Sequence, residues 1–357
     1  MSTIGIGIVG CGGNGRNHTE VWNTINNAKV VGVCDIIPEK AKELANMLGV
    51  KAFTSIHDLV KDPDVDAVDI VTDTASHRDP TVVAAESGKH VMVEVGFSRT
   101  IAEADDMIAA ADKSGVNLMY AQTQRFYPNH IKAKELIDSG EIGDPISMQY
   151  TFHREARPDR EFPPNELWHR WRSKGGGFFL YEGPHFTDQI KYLMGSEIET
   201  VYTIGMGRFV SGGDGEDNGL AGFKMSNGTF STLWRGVSYP GASNSSWRLV
   251  GTKGMLDVVY PIEPGTGRIS LGKNGEWKDI PFPHQNEGLI RTPNRNREPI
   301  NFYGFQTEFQ EFIDSITENR QPSCDGNDGK ASIMVVLAVL ESHETGNPVN
   351  IPAMTLP

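Results

Sequence analysis

With 357 residues the chain is long enough for two domains, and its 38% apolar and 22% charged side chains are the balance of a globular protein. A net charge of −13 disfavours nucleic acid and anionic lipid as partners, and no apolar run reaches the roughly 20 residues of a membrane helix. The three cysteines, Cys11, Cys34 and Cys324, are widely spaced, which fits a reducing cytoplasm rather than a disulfide framework, and an N-terminus without a basic segment predicts no secretory leader.

Residues 4–9, IGIGIV, read as a buried first strand. They run into Gly10-Cys11-Gly12-Gly13-Asn14-Gly15, which matches G-x-G-x-x-G. In that pattern the first glycine permits a tight turn, the second lets backbone approach a pyrophosphate, and the third lets helix and strand pack closely. A helix candidate follows over Asn17–Asn26, whose free N–H groups and dipole favour phosphate. A second strand, KVVGVCD, ends on Asp35, 20 residues past Gly15, where an acid can hold both ribose hydroxyls. A glycine-rich turn with an incidental acid would not require this strand–turn–helix–strand order. Gly10, Gly12, Gly13, Asn14, Gly15 and Asp35 are therefore assigned to a dinucleotide. The Asp35 carboxylate repels a 2′-phosphate and no arginine follows it, so NAD is expected rather than NADP.

The alternation continues with a helix over Glu39–Leu48, a strand over 65–72, a helix over Asp79–Ser87, a strand over 90–95, a helix over Ile101–Ser114 and a strand over 117–122. Such alternation predicts a parallel, doubly wound sheet whose ligands sit beyond the carboxyl ends of the strands. Thr72, Asp73, His77, Glu94, Val95 and Gln122 occupy those ends. Of these, Val95 offers a cofactor only an apolar wall.

Beyond residue 123 the segment 151–174 concentrates Arg, His and Trp in an otherwise acidic chain. Indole faces stack on sugar rings, and Arg and His donate to hydroxyls or bind an anionic group. His153, Arg157, Trp168 and Arg172 are candidate substrate contacts on a lid; the alternative is an irregular surface loop whose charges are solvated and balanced by Glu155, Asp159, Glu161 and Glu166. The run EGPHFTDQIKYLMG has a helix start at Gly183-Pro184 and a stop at Gly195. His185 then lies in the first turn, where the dipole disfavours an imidazolium and leaves the ring able to accept a proton. Asp188, three residues on, shares its face; the alternative is a capping histidine beside a solvated acid. The basic run Arg291–Arg297 fits a loop or an oligomer contact equally well. Asn227-Gly228 between alternating segments marks a hairpin, and amphipathic helices are expected over Phe302–Glu318 and Lys330–Glu344. No His/Cys cluster has metal spacing, so no metal is expected.

The motifs together resemble the Gfo/Idh/MocA oxidoreductases, which include glucose–fructose oxidoreductase and inositol dehydrogenases. GIGIVGCGGNG is similar to the family's nucleotide loop, IVTDTASHRD to its third strand-end segment, and AAESGKHVMVEV to the approach to its Glu-Lys-Pro motif. QTQRFYP, containing Arg125, resembles the hinge into the second domain. KGGGFFLYEGPHFTD resembles the segment with the family's Asp-x-x-x-His pair, and WRLVGTKGMLDV a strand of the second domain.

The resemblance implies an α/β protein. An N-terminal Rossmann domain with a doubly wound parallel sheet spans 1–123. A C-terminal α/β domain, 124–357, carries a large open-faced, mostly antiparallel sheet for substrate binding and oligomerisation. It implies a homo-oligomer, dimer or tetramer, acting on a carbohydrate. His185 holds the family's acid/base position, but the family's Lys is Val95, its Pro is Gly96, and its Asp is Tyr181. Valine has no donor and tyrosine has a high reference pKa, so Tyr181 can partner His185 only as a relay. Arg125 and Asp188 join the candidate substrate contacts. Three functions remain open: an NAD-dependent oxidoreductase acting on a carbinol of a sugar, polyol or glycoside; a glycosidase using tightly bound NAD in an oxidation–elimination–hydration cycle; and a non-catalytic relative that binds NAD and sugar.

Overall fold

The computed structural model describes residues 3–155, 168–209, 213–238, 244–259, 267–282 and 303–352. By their internal contacts they form two compact units, Met1–Thr123 with Ile290–Lys330, and Gln124–Leu289 with Ala331–Pro357.

The first unit is built on six strands, β1 (Ile4–Val9), β2 (Ala28–Cys34), β3 (Lys51–Phe53), β4 (Ala67–Ile70), β5 (His90–Val93) and β6 (Leu118–Tyr120). They pair in the order β3-β2-β1-β4-β5-β6, every pair parallel. The order reverses between β1 and β4, which makes the crevice above their carboxyl ends the dinucleotide position. Near-continuous apolar runs explain the strands: Ile6, Ile8, Val33, Val68, Ile70, Val91 and Val93 are all buried, as a sheet covered on both faces requires. The exception is Asp69, an acid at 0% exposure in the middle of β4.

The first helix covers Gly13–Trp22 rather than Asn17–Asn26, so it begins inside the glycine loop. Reading 124–357 as one domain puts the helix Tyr303–Thr317 with the substrate half. Its aromatic side chains pack in the first unit instead, with Phe309 at 4.5 Å and Phe312 at 6.4 Å from the Trp22 ring.

The second unit holds a sheet of nine strands among the described residues. They are β7 (Pro145–Glu155), β8 (Ile198–Gly207), β9 (Asn218–Met225), β10 (Phe230–Ser238), β11 (Asn244–Gly251), β12 (Met255–Val259), β13 (Arg268–Lys273), β14 (Glu276–Asp279) and β15 (Val349–Asn350). Their order is β14-β13-β12-β11-β7-β10-β9-β8-β15, and only β7 and β10 run parallel. The Asn227-Gly228 turn joins β9 to β10. One face carries Tyr150, Leu233, Trp247 and Leu249 into a core with Phe186, Ile190 and Leu193 of the helix Gly183–Met194. The other face leaves Tyr202, Ile204, Phe230 and Trp234 exposed. No helix among the described residues is long and apolar enough to cross a membrane.

Candidate active site

The glycine loop closes between β1 and the helix Gly13–Trp22. A β-carbon at Gly15 would meet the Gly10 carbonyl oxygen at 1.9 Å, so only glycine lets the helix pack this close. Gly12 and Gly13 face open space, Asn14 is exposed, and Gly12 caps the helix without a side chain. The first N–H groups thus remain available to an anion. Asp35 ends β2 with its carboxylate fixed: Oδ2 accepts from the Cys11 amide at 2.8 Å and Oδ1 from the Ile37 amide at 2.8 Å. Ile36 beside it is 89% exposed and brings no positive charge for a 2′-phosphate. An uncapped helix N-terminus, two glycines under open space and an oriented acid at the neighbouring strand end fit a dinucleotide.

Past β4, the Thr72 hydroxyl donates to Asp73 O at 3.2 Å, and Asp73 accepts from the Ser76 hydroxyl at 2.8 Å, which shapes this loop. His77 is fully buried, its Nδ1 at 2.9 Å from Gly96 O and its Nε2 at 3.2 Å from Thr72 O. Burial holds its pKa below the ordinary value. A neutral ring has one N–H and donates to only one of these two carbonyls, so His77 packs between the loops after β4 and β5 and hydrogen-bonds to one of them. Gln122 is also fully buried, past the end of β6.

The loop after β5 explains Val95 and Gly96. Val95 is 3% exposed, so it forms part of the interior rather than an open apolar wall. Gly96 has φ +72, a conformation closed to proline, and its Cα faces the Thr74 hydroxyl. Glu94 Oε2 accepts from the Val95 amide at 2.7 Å.

Glu94 is held from below by residues that no local motif announces. His18 sends Nε2 to Glu94 Oε1 at 3.1 Å and Nδ1 to Asp69 Oδ2 at 2.9 Å, and the Trp22 indole donates to the same Asp69 oxygen at 2.8 Å. Burial alone lowers the His18 pKa, but Asp69 and Glu94 together lift it to about 10. Glu308, fully buried nearby, accepts from the Thr123 hydroxyl at 3.0 Å. Burial, and after it the charge of Glu94, push Glu308 well above the carboxylate range. The available signal was Asp69 itself, a carboxylate inside an apolar strand that demands a buried partner.

In the second unit the helix Gly183–Met194 places His185 in its first turn, half-buried, with its amide donating to Glu182 O at 3.1 Å. Tyr181 ends the short helix Phe178–Tyr181, and its ring stacks on His169 at 5.5 Å and 28°. Glu182, between the two helices, pairs with Arg235, whose guanidinium lies buried over the rings of Phe152, Phe178 and Phe186. That pair fixes the backbone leading into His185.

Arg125 and Asp188 are brought together. The guanidinium donates from Nε to Oδ2 at 2.8 Å and from Nη2 to Oδ1 at 2.5 Å, and it stands 5.1 Å over the Tyr192 ring. With Asp188 at 0% exposure, its carboxylate orients Arg125 rather than presenting itself to a ligand. His153 is not brought to this side. Strand alternation turns Phe152 toward Phe186 and His153 the other way, against Trp234 at 4.4 Å on the open face. Arg172 is half-exposed; its amide donates to Asp214 at 2.7 Å and its guanidinium lies 3.6 Å from buried Glu216. Trp168 opens a 3-10 turn to Arg170. Arg157 and the run 291–297 lie outside the described residues. Among the described residues no group of three or more His, Cys, Asp or Glu could hold a metal ion.

Residues 4–122 match the family model described as the Gfo/Idh/MocA oxidoreductase family's NAD-binding Rossmann fold, and residues 134–351 match its C-terminal alpha/beta domain. A myo-inositol 2-dehydrogenase of Thermotoga maritima is 25% identical over 356 residues, 97% of this chain and 98% of the relative. A 2,7-anhydro-N-acetylneuraminate hydratase of Mediterraneibacter gnavus is 28% identical over 261 residues, 72% of this chain and 68% of the relative. A levoglucosan dehydrogenase solved with NADH shares the fold, with a TM-score of 0.84 at 22% identity over 98% of this chain and 100% of that one.

Proposed function

The chain belongs to the Gfo/Idh/MocA oxidoreductases, and from that premise we propose that it is an NAD-dependent enzyme oxidising a carbinol of a sugar, polyol or glycoside. The observation that most supports this is the cofactor cradle: an uncapped helix N-terminus beside an Asp35 carboxylate held by two backbone amides. NAD, when bound, supplies the hydride acceptor. His185 takes the hydroxyl proton, and Tyr181, four residues before it in sequence and stacked on His169, is the group that relays it. Arg125, oriented by Asp188, donates to substrate hydroxyls, with Arg157, Trp168 and Arg172 as further contacts. His153 is released from that role because it faces the opposite side of its sheet. The first unit, which includes the helix Tyr303–Thr317, serves the cofactor and the second the substrate.

A second reading makes the oxidation transient: a glycosidase with tightly bound NAD runs an oxidation–elimination–hydration cycle, so that the net reaction is hydrolysis. The missing lysine favours it, since Val95 is buried and donates nothing. So does similarity to a hydratase. The exposed Tyr202, Ile204, Phe230 and Trp234 support a homo-oligomer, dimer or tetramer, formed through the open sheet face. A cytoplasmic setting accords with three free cysteines.

The purified protein is tested first for co-purifying NAD. It is then incubated with polyols, sugars and aryl glycosides while reduced cofactor and released aglycone are followed. Net NADH formation supports the dehydrogenase, and aglycone or double-bond chemistry without NADH supports the redox-neutral reading. Silence in both, with sugar-dependent thermal stabilisation, leaves a binding protein. Unchanged turnover in His185→Ala removes His185 from the mechanism.

A further inference from the structure

The buried acids and histidine of the first unit form a cluster that the proposed chemistry does not use. Both nitrogens of His18 face carboxylate oxygens, Asp69 at 2.9 Å and Glu94 at 3.1 Å. Only a ring carrying both N–H groups satisfies both carboxylates as donor. His18 itself is 2% exposed and Asp69 1%, whereas the Glu94 side chain is 16% exposed, so Glu94 is the end of the chain of charges that a ligand can reach. Glu94 lies at the carboxyl end of β5, on the opposite side of the β1/β4 switch from Asp35. In a doubly wound sheet the two halves of a dinucleotide divide across that switch, so an acid beyond β5 serves the half that Asp35 does not.

We propose that His18 is a positioning residue: bridging Asp69 and Glu94, it fixes the Glu94 carboxylate to accept from the carboxamide of the cofactor's nicotinamide half. The proposal rests on the reading that this unit binds NAD. The geometry of the bridge gives it force. Asp69 is anchored from two sides, by His18 and the Trp22 indole, and the ring meets Phe305 and Phe309 edge-on at 5.7 Å and 5.0 Å. The imidazolium therefore has one orientation, and it passes that orientation to Glu94. Glu308 also faces the cluster; burial and then the charge of Glu94 push its carboxyl well above the ordinary range, and it accepts from the Thr123 hydroxyl. The amide of Val95 fixes the second Glu94 oxygen, so the residue that replaced the family's lysine contributes backbone to the same task.

Calorimetric titration of the full chain with NAD and with ADP-ribose, which lacks the nicotinamide ring, tests this. In His18→Gln the affinity for NAD falls about tenfold, the worth of one charge-assisted hydrogen bond, while that for ADP-ribose changes less than about twofold. Glu94→Ala, which removes no buried cation, shows the same NAD-selective loss. Adding His18→Gln to Glu94→Ala then costs NAD no further affinity, because His18 acts only through Glu94. Equal weakening of both ligands in His18→Gln, or a further loss in the double variant, overturns the proposal in favour of a purely structural histidine. If the unmodified protein binds neither ligand, the NAD reading itself falls, and the proposal with it.

Discussion

A β-carbon at Gly96 would lie 2.4 Å from the Thr74 hydroxyl oxygen. Gly96 stands where the family pattern has proline. With φ at +72, residue 96 cannot be proline, and any side chain there meets Thr74 from the loop after β4. Gly96 O also lies 2.9 Å from His77 Nδ1, so the turn meets the loop after β4 a second time. Gly96→Ala should lower stability by about 2 kcal/mol, from the left-handed backbone and the contact combined. Thr74→Ala in the same chain should recover the part due to the contact. Thermal unfolding of the two single variants and the double variant measures this, and strict additivity would remove the contact from the explanation.

Much of the first unit was legible because its signals are local. The glycine spacing, the acid 20 residues on and the strand–helix alternation each need only a few neighbouring residues to be read. The Asn227-Gly228 hairpin is legible for the same reason. What escaped is non-local. His18 meets partners 51 and 76 residues away, and nothing near it in sequence announces them. His153 was misplaced by parity: alternation says that Phe152 and His153 point to opposite faces but not which face the helix of His185 covers. Val95 looked like a wall because sequence places it at a strand end, whereas its exposure depends on a turn whose φ only the fold reveals.

The bidentate pair of Arg125 with fully buried Asp188 makes another expectation definite. Asp188→Asn keeps the shape but leaves a guanidinium without its counter-charge, so stability should drop by about 3 kcal/mol. Affinity for substrate should fall as well, because Arg125 loses its orientation rather than its charge. Asp188→Glu, which restores charge at a different length, should recover stability more than affinity. Urea midpoints and KM separate the two, and unaltered unfolding in Asp188→Asn would mean that the pair is relaxed in solution.

His18 sets a stability dependence with a definite sign. Its folded pKa, about 10, lies above the unfolded value near 6.5. The stabilisation is therefore fully present below about pH 6.5 and is lost as pH rises through about 10. The groups facing it are Asp69 on β4, Glu94 beyond β5, and Glu308 on the helix Tyr303–Thr317. His18→Gln should cost about 3 kcal/mol at pH 6, and the gap to the parent should narrow steadily between pH 7 and 10. A gap that is flat over this range would mean that the ring is neutral.

Glu308 gives the opposite kind of variant, one that stabilises. Its carboxyl is buried and stands well above its ordinary pKa, so the folded protein keeps it protonated where the unfolded chain would ionise it. Above about pH 4.5 the unfolded state binds fewer protons, and stability falls by about 1.4 kcal/mol for each pH unit until the folded pKa is reached. Glu308→Gln removes that dependence and keeps an oxygen to accept from the Thr123 hydroxyl. The variant should match the parent near pH 4 and exceed it as pH rises above the ordinary carboxylate range. Denaturant midpoints across that range measure the difference. A variant less stable than the parent at every pH would show that Glu308 is ionised in the fold and that His18 has three carboxylates to hold rather than two.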